Sequence, residues 1–245
     1  MYNKKPMMII FDVGGTLFDD GKCIAEEGFS ALLNVAENPD VTNEKELAEF
    51  WNEYMNEVCK DLKSKSGIAL DAPLSAIIKY ATMNAGLHIN ISMAEQEELF
   101  DRFNSTRKVI DGVPELFKAL EELNIRYAII SNNAMSGEGL ALTIKHWIPS
   151  IKPEFCLTSA DVMFTKPCKS IFIAASSYAH LNPEDCWYCG DGRNPDVDGA
   201  KNSGMIPVLL DEKSEIPLEF RTDGGRGEYM TVNNWYTLKD YLYKL

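Results

Sequence analysis

Asp12 closes a short apolar run, Met7-Met8-Ile9-Ile10-Phe11, and is followed at once by Gly14, Gly15 and Thr16. A run this short and β-rich suits a buried parallel strand. A carboxylate at the carboxyl end of such a strand faces the crevice where open α/β sheets bind ligands, and glycines there let main chain approach a ligand closely. Asp12 is therefore a candidate nucleophile, since a carboxylate held in line with an electrophile can form a covalent intermediate. Alone, the segment also describes a strand running into a capped turn. Three later segments shift the balance: Ser131-Asn132 ends a second apolar run, Lys166-Pro167 follows a third, and Asp191 with Asp196 follows a fourth. Four strand ends would thus offer polar groups to one crevice.

The elements between these ends must bring them together. After Asp12 the sequence turns helical, with amphipathic stretches over 23–37, 43–63, 72–85 and 92–107 that suggest a small bundle. Leu47, Phe50, Trp51, Tyr54 and Val58 recur at helical spacing, and such a stripe reads as bundle core. Asn43 with Glu46 has the order of a capping box, and Gly86 stands where a helix would stop. From Ile110 helix and strand alternate: a helix opens at 111–114, strands fit 127–130, 155–157, 187–189, 206–210 and 229–232, and a helix fits 170–180. That order implies right-handed crossovers and a mainly parallel sheet covered on both faces. The expected fold is α/β: a Rossmann-like core, residues 1–18 and 109–245, with a small all-helical cap, residues 19–108, inserted after the first strand. The glycine-rich stretch at 223–227 invites a phosphate-loop label, but no helix follows it, and a loop before the last strand is the better reading.

The four segments together resemble the haloacid dehalogenase superfamily. The matching pieces are Phe11-Asp12-Val13-Gly14-Gly15-Thr16-Leu17, Ile129-Ile130-Ser131-Asn132, Lys166-Pro167-Cys168-Lys169-Ser170-Ile171-Phe172, and Gly190-Asp191 with Asp196, Gly199, Ala200 and Gly204. Each is weak alone; in this order, over nearly the whole chain, they are specific. The resemblance implies catalysis by Asp12, Lys166 and Ser131 through an aspartyl intermediate, with Thr16, Asn132 and Lys166 binding substrate. It further implies a divalent cation held by Asp12, Asp191, Asp196 and the main-chain carbonyl of Gly14. Hard oxygen ligands beside a phosphate suit Mg²⁺, which would polarise phosphoryl oxygens and screen Asp12 from the anion it attacks. The implied activity is a Mg²⁺-dependent phosphatase of a small phosphorylated metabolite, with the helical cap excluding water and selecting substrate.

One position departs from that pattern. In the family's phosphatases the second residue after the nucleophile is an aspartate that moves the proton, and here it is Gly14. A positioned acid or base is worth about 10²–10⁴ in rate, so alkyl phosphates should react poorly. Asp19 and Asp20, just beyond, are read as bracing the hinge, with a substitute acid as the alternative role. Gly14 also keeps open a family member that cleaves C–halogen or C–P bonds, the latter through a cap lysine among Lys60, Lys63, Lys65 and Lys79. A weakly active Mg²⁺- and phosphate-binding regulatory module is a third class.

Composition excludes other classes. The formal net charge of -13 argues against nucleic-acid or anionic-membrane partners, which need clustered Lys and Arg. No apolar stretch reaches the length of a membrane span, the first eleven residues do not read as a secretory signal, and a cytoplasmic location is expected. Six cysteines scattered over 245 residues read as reduced thiols. Cys186 and Cys189 lie three apart on an expected strand and should point to opposite faces.

Overall fold

The computed structural model describes residues 2–59, 72–222 and 227–245. A seven-stranded sheet forms the core, ordered β5-β4-β1-β6-β7-β9-β8. Its strands are β1 (Met8–Phe11), β4 (Arg126–Ser131), β5 (Cys156–Thr158), β6 (Cys186–Gly190), β7 (Ile206–Leu210), β8 (Leu218–Thr222) and β9 (Glu228–Val232). Every pairing is parallel except β8 with β9. β1 lies between β4 and β6 and is buried on both faces, which is why its sequence is apolar without alternation.

The two faces are covered by different helices. Ile9 and Phe11 pack against Leu116 and Phe117 of α5 (Val113–Glu122), Leu140 and Ile144 of α6 (Gly137–Trp147), and Trp235 and Leu238 of α10 (Trp235–Leu242). Met8 and Ile10 face the other way, toward Ile171, Phe172 and Ala175 of α8 (Lys169–Tyr178) and Ala200 of α9 (Gly199–Ser203). Cys186 and Cys189 fall in these opposite layers, as their spacing requires, and both are free thiols. The short α7 (Ser159–Val162) follows β5.

Four helices follow β1 in sequence: α1 (Ala25–Leu33), α2 (Glu44–Tyr54), α3 (Leu74–Ala85) and α4 (Met93–Asn104). They share a core of their own, built on Phe29, Leu32, Leu47, Ile78 and Phe100. Gly86 ends α3 with a φ of +66°, a conformation that favours glycine. The expected capping box at Asn43 is only half formed: Asn43 accepts from the main chain of Lys45 and Glu46, while the Glu46 carboxylate accepts from Thr42 instead. A complete box occurs at Ser92 and Glu95. The 43–63 stretch is α-helical to Tyr54 and continues as a π turn over Met55–Cys59; its remainder lies outside the described residues. The 223–227 loop does as well, save Gly227.

Two short strands join the helical layer to the sheet, β2 (Phe18–Asp19) and β3 (Lys108–Val109), paired antiparallel. Beside them the buried Arg107 guanidinium donates to both oxygens of Asp101 at 2.6 and 3.1 Å and to Asp20 Oδ1 at 2.9 Å, and it stacks over the Phe18 ring. Asp101 is itself buried and accepts a further bond from Thr143 of α6. Removing one partner of such a pair strands a charge away from water. Arg107→Met is therefore expected to destabilise the fold by about 3–5 kcal/mol, readable as a shifted midpoint in urea titration.

Candidate active site

Lys166 is the centre of the site. Its loop follows β5 and α7, and its side chain runs inward until Nζ reaches Asp12 Oδ1 at 2.8 Å, Asp196 Oδ1 at 2.7 Å and the Tyr188 hydroxyl at 2.9 Å. Those three acceptors use all three ammonium donors. Tyr188 passes its own proton to the carbonyl of Ile130 at 3.1 Å, so β4 and β6 both fix the lysine's address. Burial works against the ammonium, yet Asp12 and Asp196 overcome it and hold Lys166 above the ordinary lysine range. Burial also raises the Asp12 carboxyl, to about 6, with Lys166 opposing the shift and Asp196 adding to it.

The loops are tied to one another as well. Asn132, just after β4, makes a reciprocal pair with the main chain of Lys166: its Oδ1 accepts from Lys166 N at 2.7 Å and its Nδ2 donates to Lys166 O at 3.2 Å. Asp196 sits in a π turn (Arg193–Asp198) behind β6, where its Oδ2 accepts from Gly192 N at 2.8 Å. Asp191 completes an all-oxygen set: it, Asp12 and Asp196 each bring a carboxylate oxygen within 4.8 Å of the others. Burial raises the Asp191 carboxyl, and Asp196 adds to the effect. Three carboxylates against one ammonium leave negative charge uncompensated. That donor chemistry fits a hard divalent cation.

These residues line a cavity of about 220 Å³ together with Gly14, Asp20, Ser131, Asn133 and Pro195. A wider cleft of about 810 Å³ adjoins it, sharing Asp20 and Asp191 and walled also by Asp19, Lys108 and Lys213. Gly15 has a φ of +67°, and a side chain there would run into the Asp191 carboxylate, so only glycine fits. Of the residues singled out from sequence, Asp12, Gly14, Ser131, Asn132, Lys166, Asp191 and Asp196 come together. Thr16 does not: it is fully buried off the cavity wall, its hydroxyl has no hydrogen-bond partner, and its carbonyl accepts from the Trp235 indole at 2.7 Å. Lys79 is exposed on α3, and Lys60, Lys63 and Lys65 lie outside the described residues. Sequence reasoning missed Tyr188. The available signal was a lone hydroxyl in an otherwise apolar strand.

The chain is similar to known proteins. A family model described as haloacid dehalogenase-like hydrolase matches residues 9–209. The chain is 24% identical over 226 residues, 88% of each chain, to a glyceraldehyde 3-phosphate phosphatase of Methanopyrus kandleri. Among solved structures it is similar to a 2-haloacid dehalogenase from Pseudomonas syringae (TM-score 0.57, 19% identity, 97% of this chain and 98% of that one). It is also similar to a phosphatase of the same superfamily from Thermococcus onnurineus (TM-score 0.54, 17% identity, 98% of both). No helix among the described residues is long and apolar enough to cross a membrane. With the sheet order, the Asp12–Lys166–Asp196 contact and a family match spanning all four strand ends, this chain belongs to the haloacid dehalogenase-like hydrolases.

Proposed function

We propose that the chain is a Mg²⁺-dependent phosphatase of a small phosphorylated metabolite, working through an aspartyl-phosphate at Asp12. The observation that carries this reading is the Lys166 ammonium clamped between Asp12 and Asp196, with Asp191 alongside. Lys166 holds one oxygen of the Asp12 carboxylate, and the other would attack phosphorus. Attack forms the Asp12 O–P bond and breaks the bond from phosphorus to the leaving oxygen, which departs with its electron pair. The Ser131 hydroxyl and the Asn132 loop would orient the phosphoryl oxygens. Asp12, Asp191, Asp196 and the carbonyl of Gly14 would hold Mg²⁺, which when bound supplies positive charge to the transferring group.

The cavity at Asp12 has room for a phosphoryl group, and the wider cleft beside it would take more of a small substrate. Residues 19–108 are read as the cap on a core of 1–18 and 109–245. Their helices touch the loop after β4 directly, where Leu74 N donates to Ala134 O at 2.7 Å and Met135 joins the helical core. A substrate held by Ser131 and Asn132 is therefore within reach of cap residues. The kinship with a glyceraldehyde 3-phosphate phosphatase agrees with a phosphoester substrate.

Gly14 favours a second reading, cleavage of a carbon–halogen bond. The carboxylate set counts against it, because a halide displacement has no phosphoryl charge to neutralise. One panel separates the two readings. Phosphate release from esters and acyl phosphates is expected with Mg²⁺, lost on chelation and restored on adding the ion back. Halide release from 2-chloropropionate without Mg²⁺, with no phosphate released from any panel member, would replace the phosphatase reading.

A further inference from the structure

Breaking down an aspartyl-phosphate requires a group that takes a proton from the attacking water, and Gly14 has no side chain to do it. A Cβ built at Gly14 would lie 2.7 Å from Asp20 Oδ2, so the space a side chain would fill there is already held by a carboxylate from six residues further along. We propose that Asp20, reaching in from the junction with the helical layer, is the proton-transfer residue of this site. The proposal rests on the phosphatase reading and adds a residue to it.

Elimination and geometry agree. The carboxylates lining the small cavity are Asp12, Asp20, Asp191 and Asp196. Asp12 becomes the acyl phosphate. Asp196 is committed to Lys166 and to Gly192 N, and Asp191 stands with these two around the cation position. Asp20 alone belongs to the cavity and the wider cleft without belonging to that cluster, which puts it where a leaving group departs and a water enters.

Its aim is fixed from behind. Oδ1 accepts from Arg107 Nε at 2.9 Å, and Arg107 is anchored on the buried Asp101. The Asp20 carbonyl accepts from Ser105 Oγ at 3.0 Å. Oδ2, turned toward Gly14, accepts no hydrogen bond from the described residues. Arg107 is thus a positioning residue, holding one oxygen so that the other can act.

The step balances. Water attacks the phosphorus of the Asp12 acyl phosphate, and Asp20 Oδ2 takes one of its protons. The O–P bond to Asp12 breaks with the electron pair returning to Asp12, leaving inorganic phosphate and a protonated Asp20. Asp20 then gives its proton to solvent, or to the leaving alkoxide of the next phosphate ester.

Acetyl phosphate tests this, because its leaving group is a carboxylate that needs no proton. Asp20→Asn should still form the Asp12 adduct but discharge it slowly. Phosphate release should fall by about 10²-fold or more, and intact mass should show most of the enzyme carrying one phosphoryl group at Asp12 in the steady state. Asp20→Ala should behave alike, and Gly14→Asp added to it should restore turnover, since Gly14 does not need a positive φ and the alanine vacates the space. Wild-type turnover by Asp20→Asn, or equal slowing of adduct formation and discharge with no rescue in the double variant, would overturn the proposal. If the wild-type protein neither releases phosphate nor forms an adduct, it is the phosphatase reading that fails.

Discussion

Asp12→Asn is expected to lower phosphate release by at least ~10⁴-fold, with no phosphoryl adduct detectable by mass. Asparagine keeps the shape of the side chain but has no anionic oxygen to attack phosphorus, and loss of a covalent nucleophile costs about 10⁶ in well-studied hydrolases. Stability should move differently. Burial raises the Asp12 carboxyl to about 6, above its unfolded value. Such a group contributes stability below its unfolded pKa and loses it as pH rises through about 6. Asparagine stays neutral throughout. Measured without divalent cation at pH 7 to 8, the variant should therefore unfold at the same temperature as wild type or higher, while a pH 5 comparison should narrow any gain. Lys166 retains Asp196 and Tyr188 in the variant, so no buried charge is orphaned. Activity lost with stability kept marks a residue held for chemistry against its own burial.

Lys166→Met should fail on both counts. Removing one electrostatic donor to a transition state costs about 10²–10³ in rate, and in the proposed mechanism Lys166 also aims Asp12, so a loss of about 10³-fold or more in phosphate release is expected. The fold suffers too, because Asp12 and Asp196 would then face each other without the intervening cation, in a site where Asp196 is only 1% exposed. Leaving a buried charge unpaired costs about 3–5 kcal/mol, to be read from urea titration without divalent cation. Equal loss of activity with an unchanged unfolding midpoint would show that another group compensates the two carboxylates. The opposite stability signs expected of Asp12→Asn and Lys166→Met follow from one contact seen from its two ends.

The gathering of polar strand ends was legible where sequence order and strand geometry coincide. Asp12, Ser131 and Asp191 each stand where an apolar run stops, and parallel strands with right-handed crossovers must bring such ends to one edge of the sheet. β8 was not legible: Leu218–Thr222 is a partly exposed antiparallel edge whose polar residues carry no buried-strand signal. Nor did α6 and α10 stand out beforehand, the first opening on Gly137 and Gly139 and the second on aromatic residues, where propensity is weak and packing on the sheet decides.

The α/β order, the run of helices after β1 and the polar strand ends depend on periodicity and on breaks in it, so the residues alone carry them. Packing instead settles that Tyr188 shares the lysine, that Thr16 is buried off the cavity wall, and that Asp20 stands against Gly14 with Arg107 and Asp101 behind it. These placements depend on contacts such as Arg107 with Asp20, 87 positions apart, and Trp235 with Thr16, 219 apart, set by how loops and helices pack. The sequence offers Asp19 and Asp20 side by side, and it is the fold that turns Asp20 toward Gly14 and holds it on Arg107.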